Sequence, residues 1–252
     1  MYLTYCSIFF SFHLISIMFT SGFRLMSAYK KGYAFELTCK HVLELFSIHL
    51  YQRGGAGDLG VDLIGVWQLD SKDECLNSLK SERDPSKPWT MINVVVQCKH
   101  EKKPCKPSYV RELDGVISRW NSEKSNAGYF IPPNLLDNDK YSCSHSDIPV
   151  IGILASSSGF SVNSITALQY SKNPMIFMTV EPPESLDEPI TASNVTSSKL
   201  QYCKFNRPVQ NILPSLTIGN TFTAGTDLES SQPSIVLINN DIDVSTISSF
   251  KE

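Results

Sequence analysis

The sequence predicts an α/β fold, a mixed β-sheet with helices on both faces, in the order helix, three strands, helix, strand, helix, strand. Three observations carry this. Phe35, Cys39, Val42 and Phe46 recur at spacings of four, three and four, the stripe of a half-buried helix. A glycine-rich turn, R-G-G-A-G-D-L-G-V-D-L-I-G from Arg53 to Gly65, opens one extended segment, and V-V-V-Q-C-K from Val94 to Lys99 closes another. Beyond Pro107 helical patterns alternate with short apolar runs, which implies crossover connections rather than hairpins.

Taken in order, residues 33–47 form the first helix, with Glu36 one position off its buried stripe. Residues 47–52 are a short strand and 53–57 a turn. Residues 59–67 form the second strand, which puts Asp62 in mid-strand. Residues 70–90 are a polar insertion with two prolines, a loop or small surface helix. Residues 91–99, rich in valine, are the third strand. After Pro107, Ser108 is a suitable N-cap, and Val110, Leu113, Ile117 and Trp120 follow at helical spacing with Arg111 and Arg119 outward. Residues 121–147, with Pro132 and Pro133, are a loop. Residues 149–155 form a buried strand, 160–171 a short helix and 175–180 a last strand. From Pro182 the chain turns Ser-, Thr-, Pro- and Asn-rich and loses periodicity. A flexible or loosely packed extension is expected there, with Ile235–Ile238 able to add a strand. The organisation is thus 1–25 as an apolar segment, 30–181 as the folded domain and 182–252 as the polar extension.

Side chains alternate faces along a strand, so Gln97 and Lys99 share one face while Val94, Val96 and Cys98 share the other. An amide and a lysine on a valine-rich strand are costly to bury without partners. A hydrated divalent cation and a phosphate supply those partners, with Asp62 as the anionic anchor. Gly55-x-Gly57-x-x-Gly60 matches the dinucleotide fingerprint literally but is followed by a strand rather than a helix, so it is set aside. Asp58 is better placed to cap the turn than to serve the site. The five histidines are scattered, and no zinc spacing, Walker motif or G-x-S-x-G occurs.

These residues resemble the PD-(D/E)XK nuclease superfamily, and within it the Mrr-like restriction endonuclease branch. There a Gly-Asp-x-Gly-(Val/Ile)-Asp turn and strand precede a strand ending (Glu/Gln)-x-Lys. Gly57, Asp58, Gly60, Val61, Asp62, Gln97 and Lys99 stand at those positions. A closer resemblance is to the fungal mitochondrial Required-for-respiratory-growth family of Mrr-like proteins, through Gly54 to Trp67, Val94 to Lys99 and Arg111 to Leu113. The resemblance spans roughly residues 32–181. It implies a restriction-endonuclease-like sheet and hydrolysis of phosphodiester bonds in DNA, RNA not being excluded, in mitochondrial genome maintenance or respiratory growth. The alternative is an inactive nucleic-acid-binding or scaffolding protein that keeps the fold. Mg²⁺ or Mn²⁺ would be held by Glu36, Asp62, the Gln97 amide oxygen and the Cys98 backbone carbonyl, and Lys99 would orient the attacking water. Gln97 departs from the superfamily's commonest acid and removes one negative charge from the site.

Composition is ordinary for a soluble protein, with 19% charged and 42% hydrophobic residues, and the net charge of −3 does not advertise a nucleic-acid binder. Local charge does: Lys102, Lys103, Lys106 and Arg111 follow the third strand and suit a phosphate backbone. The seven cysteines, without C-x-x-C, read as free thiols in a reducing compartment. Residues 2–23 are uncharged and apolar, and Arg24, Lys30 and Lys31 follow. A mitochondrial targeting segment, or a sequence upstream of a start at Met26, is preferred to a retained membrane anchor.

Overall fold

In the computed structural model, described for residues 28–53, 60–69, 89, 91–122, 148–183, 190–191, 199–222 and 233–239, a helix opens the fold at 28–44 (α1). Ser47, in the left-handed region at φ 61°, turns the chain from it into the first strand. Strands β1 (Ile48–Gln52), β2 (Leu63–Gln68) and β3 (Met91–Lys99) follow. Helix α2 (Pro107–Ser122), β4 (Val150–Ser156), α3 (Val162–Tyr170) and β5 (Met175–Val180) complete the expected order. Strand β6 (Leu200–Phe205), helix α4 (Arg207–Ile212) and the strands β7 (Leu216–Phe222) and β8 (Pro233–Asn239) come after it.

The main sheet runs β1-β2-β3-β4-β5-β6, and β7 and β8 pair as a separate antiparallel hairpin. β1, β2 and β3 are antiparallel neighbours, β3, β4 and β5 are parallel, and β6 closes antiparallel to β5. The sheet is therefore mixed for the reason anticipated: hairpin-like connections early, helical crossovers later.

Alternation splits the strand residues between two cores. Val94 and Val96 of β3, Ile151, Ile153 and Ala155 of β4, and Ile176 and Met178 of β5 bury against Phe35, Cys39, Val42 and Leu43 of α1. Met91, Val95, Leu154 and Phe177 bury on the other face against Val110, Leu113, Val116 and Ile117 of α2 and Leu168 of α3. Helices thus cover both faces. Gly152 makes room for α2, since a Cβ there would lie 2.4 Å from Cδ1 of Ile117.

Several expectations change in detail. β2 begins at Leu63, so Asp62 precedes the strand rather than sitting within it. Helix α2 starts at Pro107, so Ser108 lies inside its first turn and is not the N-cap. Leu43, outside the expected α1 stripe, is fully buried, whereas Trp120 is only partly so. The extension expected to be loose contributes β6 to the main sheet, and Leu200, Val209, Leu213 and Leu216 to the core beside α1. Asn206 is the joint: it caps α4 and is itself buried, its Oδ1 accepting from the amides of Met175 and Val209 and its Nδ2 donating to the carbonyls of Leu168 and Asn173. The apolar segment 2–23, the glycine turn 54–59 with Asp58, and the insertion 70–88 lie outside the described residues. Among the described residues no helix is long and apolar enough to cross a membrane.

Candidate functional site

The site is built at the C-terminal end of β3, beside Asp62, which stands just before β2. The amide of Asp62 donates to the carbonyl of Val96 at 3.0 Å, although Leu63 is the Cα partner of Val96, so two residues stand against one. Strand alternation breaks there. Val61 and Ile64 bury on the α2 side, and Leu63 between them on the α1 side. Such a local irregularity re-aims a side chain, and the Asp62 carboxylate turns onto β3, its Oδ2 accepting the Cys98 amide at 2.6 Å.

Cys98 is where the charges meet. Its thiol is held well above the ordinary value of 9.0, first by a hydrogen bond with the Cys39 thiol, then by burial, then by the charges of Cys39, Asp62 and Glu36. Both candidate carboxylates therefore act on one point, Glu36 from α1 and Asp62 from the turn. Cys39, Cys98, Cys105 and Cys203, the cysteines among the described residues, are free thiols, as expected.

Gln97 and Lys99 share a face, and that face is the one α2 covers. Gln97 is 1% exposed, and its Nε2 donates to Oε2 of Glu112 at 3.2 Å. Its Oε1 is buried without a hydrogen-bond partner. The ammonium of Lys99 stands 4.9 Å from the ring centroid of Tyr109, within cation–π range. The Tyr109 hydroxyl donates to Glu101, and that bond is the first cause that pushes Tyr109 up to about 12. Asp62 is bonded to the Cys98 amide and the charge of Glu36 also acts on Cys98, while Gln97 and Lys99 face α2. The two pairs meet at consecutive positions of β3.

Lys102, Lys103, Lys106 and Arg111 are all exposed, in the segment between β3 and the first turns of α2. That segment is held by a serine loop to which no sequence motif points. Ser157 donates from its amide to the Lys99 carbonyl at 3.1 Å and from its hydroxyl to the Glu101 carbonyl at 3.2 Å. The Ser158 hydroxyl donates to the Lys103 carbonyl at 2.6 Å, and the Ser164 hydroxyl to the Cys105 carbonyl at 2.6 Å. Glu112 is the other residue that sequence reasoning misses. Its one signal is its place inside the motif Arg111 to Leu113, and nothing in a helical pattern marks a bond to a residue 15 positions back.

The donors fit a hard, largely hydrated cation: two carboxylates near one strand end and a buried amide oxygen that lacks a partner. Among the described residues no group of three or more His, Cys, Asp or Glu is placed to hold a metal ion. An ion here would rest on mixed ligands and water.

Residues 27–132 match the family model described as Required for respiratory growth protein 7. A mitochondrial protein of Schizosaccharomyces pombe, named only as uncharacterized, is 29% identical over 145 residues, which cover 58% of this chain and 42% of that protein. The chain thus spans less than half the length of the curated relative it matches. No solved structure matches it. Over residues 27–132 the chain is similar to the Required for respiratory growth protein 7 family, and that span contains Glu36, Asp62, Gln97, Lys99 and Glu112.

Proposed function

We propose that this protein is a mitochondrial, Mg²⁺- or Mn²⁺-dependent nuclease of the PD-(D/E)XK type that hydrolyses phosphodiester bonds in DNA and serves genome maintenance or respiratory growth. One observation carries the reading: a fully buried amide oxygen, Oε1 of Gln97, lacks a partner at the strand end where Asp62 and Glu36 concentrate negative charge. A buried polar atom without a partner is costly and calls for an explanation. The mitochondrial location draws on the printed name of the fission-yeast relative and on the family description.

In this reading Asp62 would anchor the ion, and the amide oxygen of Gln97, the carbonyl of Cys98 and Glu36 would complete its protein ligands; Lewis-acid polarisation of the scissile phosphate and of water is the chemistry such an ion would supply. Lys99 adds a fixed positive charge that stabilises the phosphorane-like charge as it develops. The Tyr109 ring holds the Lys99 side chain from one side. Lys102, Lys103, Lys106 and Arg111 form the track for the phosphate backbone.

A second reading, a nucleic-acid-binding protein without catalysis, is favoured by the engagement of Gln97 Nε2 with Glu112 and by the absence of an acidic trio among the described residues. Incubating the full chain with supercoiled plasmid, single-stranded DNA and RNA, with Mg²⁺ or with EDTA, separates the two. Mg²⁺-dependent cleavage, lost in Asp62→Asn, is expected. The amide oxygen that this substitution introduces can still accept from the Cys98 amide, so the change removes the charge and keeps the fold. Retardation of nucleic acid without any cleavage would install the second reading.

A further inference from the structure

We propose that Glu112 is a positioning residue for Gln97, one whose carboxylate fixes the amide so that its carbonyl oxygen is the atom left for a ligand. This rests on the nuclease reading in its final step, because the ligand there is the divalent ion. The geometric part stands by itself.

An amide can present either of two atoms, and in a buried position the surroundings choose. Beside Gln97 stands the Glu112 carboxylate, 3.2 Å from Nε2. The flipped amide would set Oε1 against that carboxylate, acceptor facing acceptor, whereas the orientation found donates to an anion, the stronger kind of hydrogen bond. Oε1 is therefore sent to the other side, where it is buried and no protein group satisfies it. Gly60 permits the arrangement. It adopts φ +78°, and a Cβ there would lie 3.0 Å from Nε2 of Gln97 and 3.3 Å from Oε1 of Glu112. A motif glycine, a buried glutamine and a helical glutamate therefore form one unit.

The unit also explains why position 97 is a glutamine. A glutamate there would put two carboxylates at hydrogen-bond distance, one of them almost fully buried, and like charges so placed repel. The negative charge of the pair sits on α2, at 112, and the neutral amide carries its orienting effect inward to β3.

The test is a double-substitution cycle on the full chain, comprising Gln97→Glu, Glu112→Gln and both together, with Glu112→Ala alongside. Thermal midpoints without metal and Mn²⁺ affinity by calorimetry are the two readouts. Gln97→Glu should melt lower than the parent, and adding Glu112→Gln should recover most of the loss, because the carboxylate on β3 then accepts from the amide on α2. Glu112→Ala, at an exposed helix position, should fold normally yet bind Mn²⁺ about 10- to 100-fold more weakly, the usual cost of removing an outer-shell partner. Glu112→Gln keeps an acceptor for Nε2 and should restore most of that affinity, which a merely structural role would not require. If the double variant melts no higher than Gln97→Glu, or if Glu112→Ala keeps full Mn²⁺ affinity, Glu112 does not position Gln97. If the parent protein binds no Mn²⁺, the nuclease reading fails instead, and the melting cycle alone then decides whether the pair is coupled.

Discussion

Gly65 shows what a single residue contributes when it has no side chain. It faces the backbone of the neighbouring strand, and a Cβ at that position would lie 1.9 Å from the carbonyl oxygen of His49. The glycine in Leu63-Ile64-Gly65 is therefore a packing requirement of the β1–β2 pair, not part of the chemistry. Gly65→Ala should lower stability by at least ~3 kcal/mol, the upper part of the usual overpacking range, because backbone and not a side-chain tip must yield. Urea unfolding would measure it, and a loss under about 1 kcal/mol would mean β1 moves aside easily. On the nuclease reading proposed above, Lys99 is the opposite case, a residue whose charge would matter more than its bulk. Lys99→Ala should reduce turnover by ~3 kcal/mol of transition-state stabilisation while nucleic-acid affinity changes little, and an equal loss in both would assign Lys99 to binding alone. At this scale the sequence was partly legible. Gln97 and Lys99 share a face because an unbroken strand has period two. The face of Asp62 could not be read, because the alternation breaks between Val61 and Ile64, and only hydrogen bonds to Val96 and Cys98 reveal it.

The lysine segment after β3 and the serine loop after β4 act as one element. Hydrogen bonds from Ser157 and Ser158 fix the backbone at Lys99, Glu101 and Lys103, and Cys105 bridges to Phe160, so the cations project from an ordered base. A phosphate backbone that binds there pays little to order the loop. Lys102→Ala with Lys103→Ala should weaken binding without altering turnover of bound substrate, and should flatten the log–log salt dependence by up to about two units. An unchanged slope would move the track to Arg111 and Arg119. Asn206 belongs to this scale too, since it ties α4 to β5 and to the end of α3. Asn206→Ala removes an N-cap and leaves the buried amide of Met175 unsatisfied, a combined loss of ~2–4 kcal/mol. A denaturation midpoint within error of the parent would show that water replaces the side chain. Nothing in the sequence marked Asn206 as a joint, because apart from Val209 in the helix it caps its partners, Leu168, Asn173 and Met175, lie 31 to 38 residues back along the chain.

For the molecule as a whole, the sheet from β1 to β5 and its flanking helices were legible because apolar periodicity is strong there. β6 was not: its pattern L-Q-Y-C-K-F buries only Leu200 and Cys203, as an edge strand does, amid a Ser- and Thr-rich stretch. The finished core places several titratable groups where ionisation is disfavoured. Burial raises the thiols of Cys105 and Cys203 above 9.0, Cys203 to about 12, and raises the phenols of Tyr51 and Tyr202 above 10.0. The bond to Glu101 raises Tyr109 to about 12, though its accessibility to solvent discounts its share. All these groups keep their protons in the folded state to higher pH than in the unfolded chain. Unfolding between the two values releases protons, so the stability they contribute is complete below their ordinary values and is lost as pH rises through the folded ones. His100 runs the other way. Burial first, then the charge of Lys31, lowers it from 6.5, so its contribution is present above 6.5 and fades as pH falls through the lower value. Because His100 lies exposed at the end of β3, stacked 5.4 Å from Phe35, the acid-side effect should be small. Stability should therefore be nearly flat between about pH 7 and 9, dip slightly below 6.5, and fall steeply above 9 as the buried thiols and then the phenols are called on to ionise. Urea midpoints across pH 5.5 to about 11 at fixed ionic strength would trace the curve. A midpoint that holds steady from pH 9 upward would mean that these groups titrate as freely in the folded protein as in the unfolded chain, and that the core around β5 and β6 is open to water.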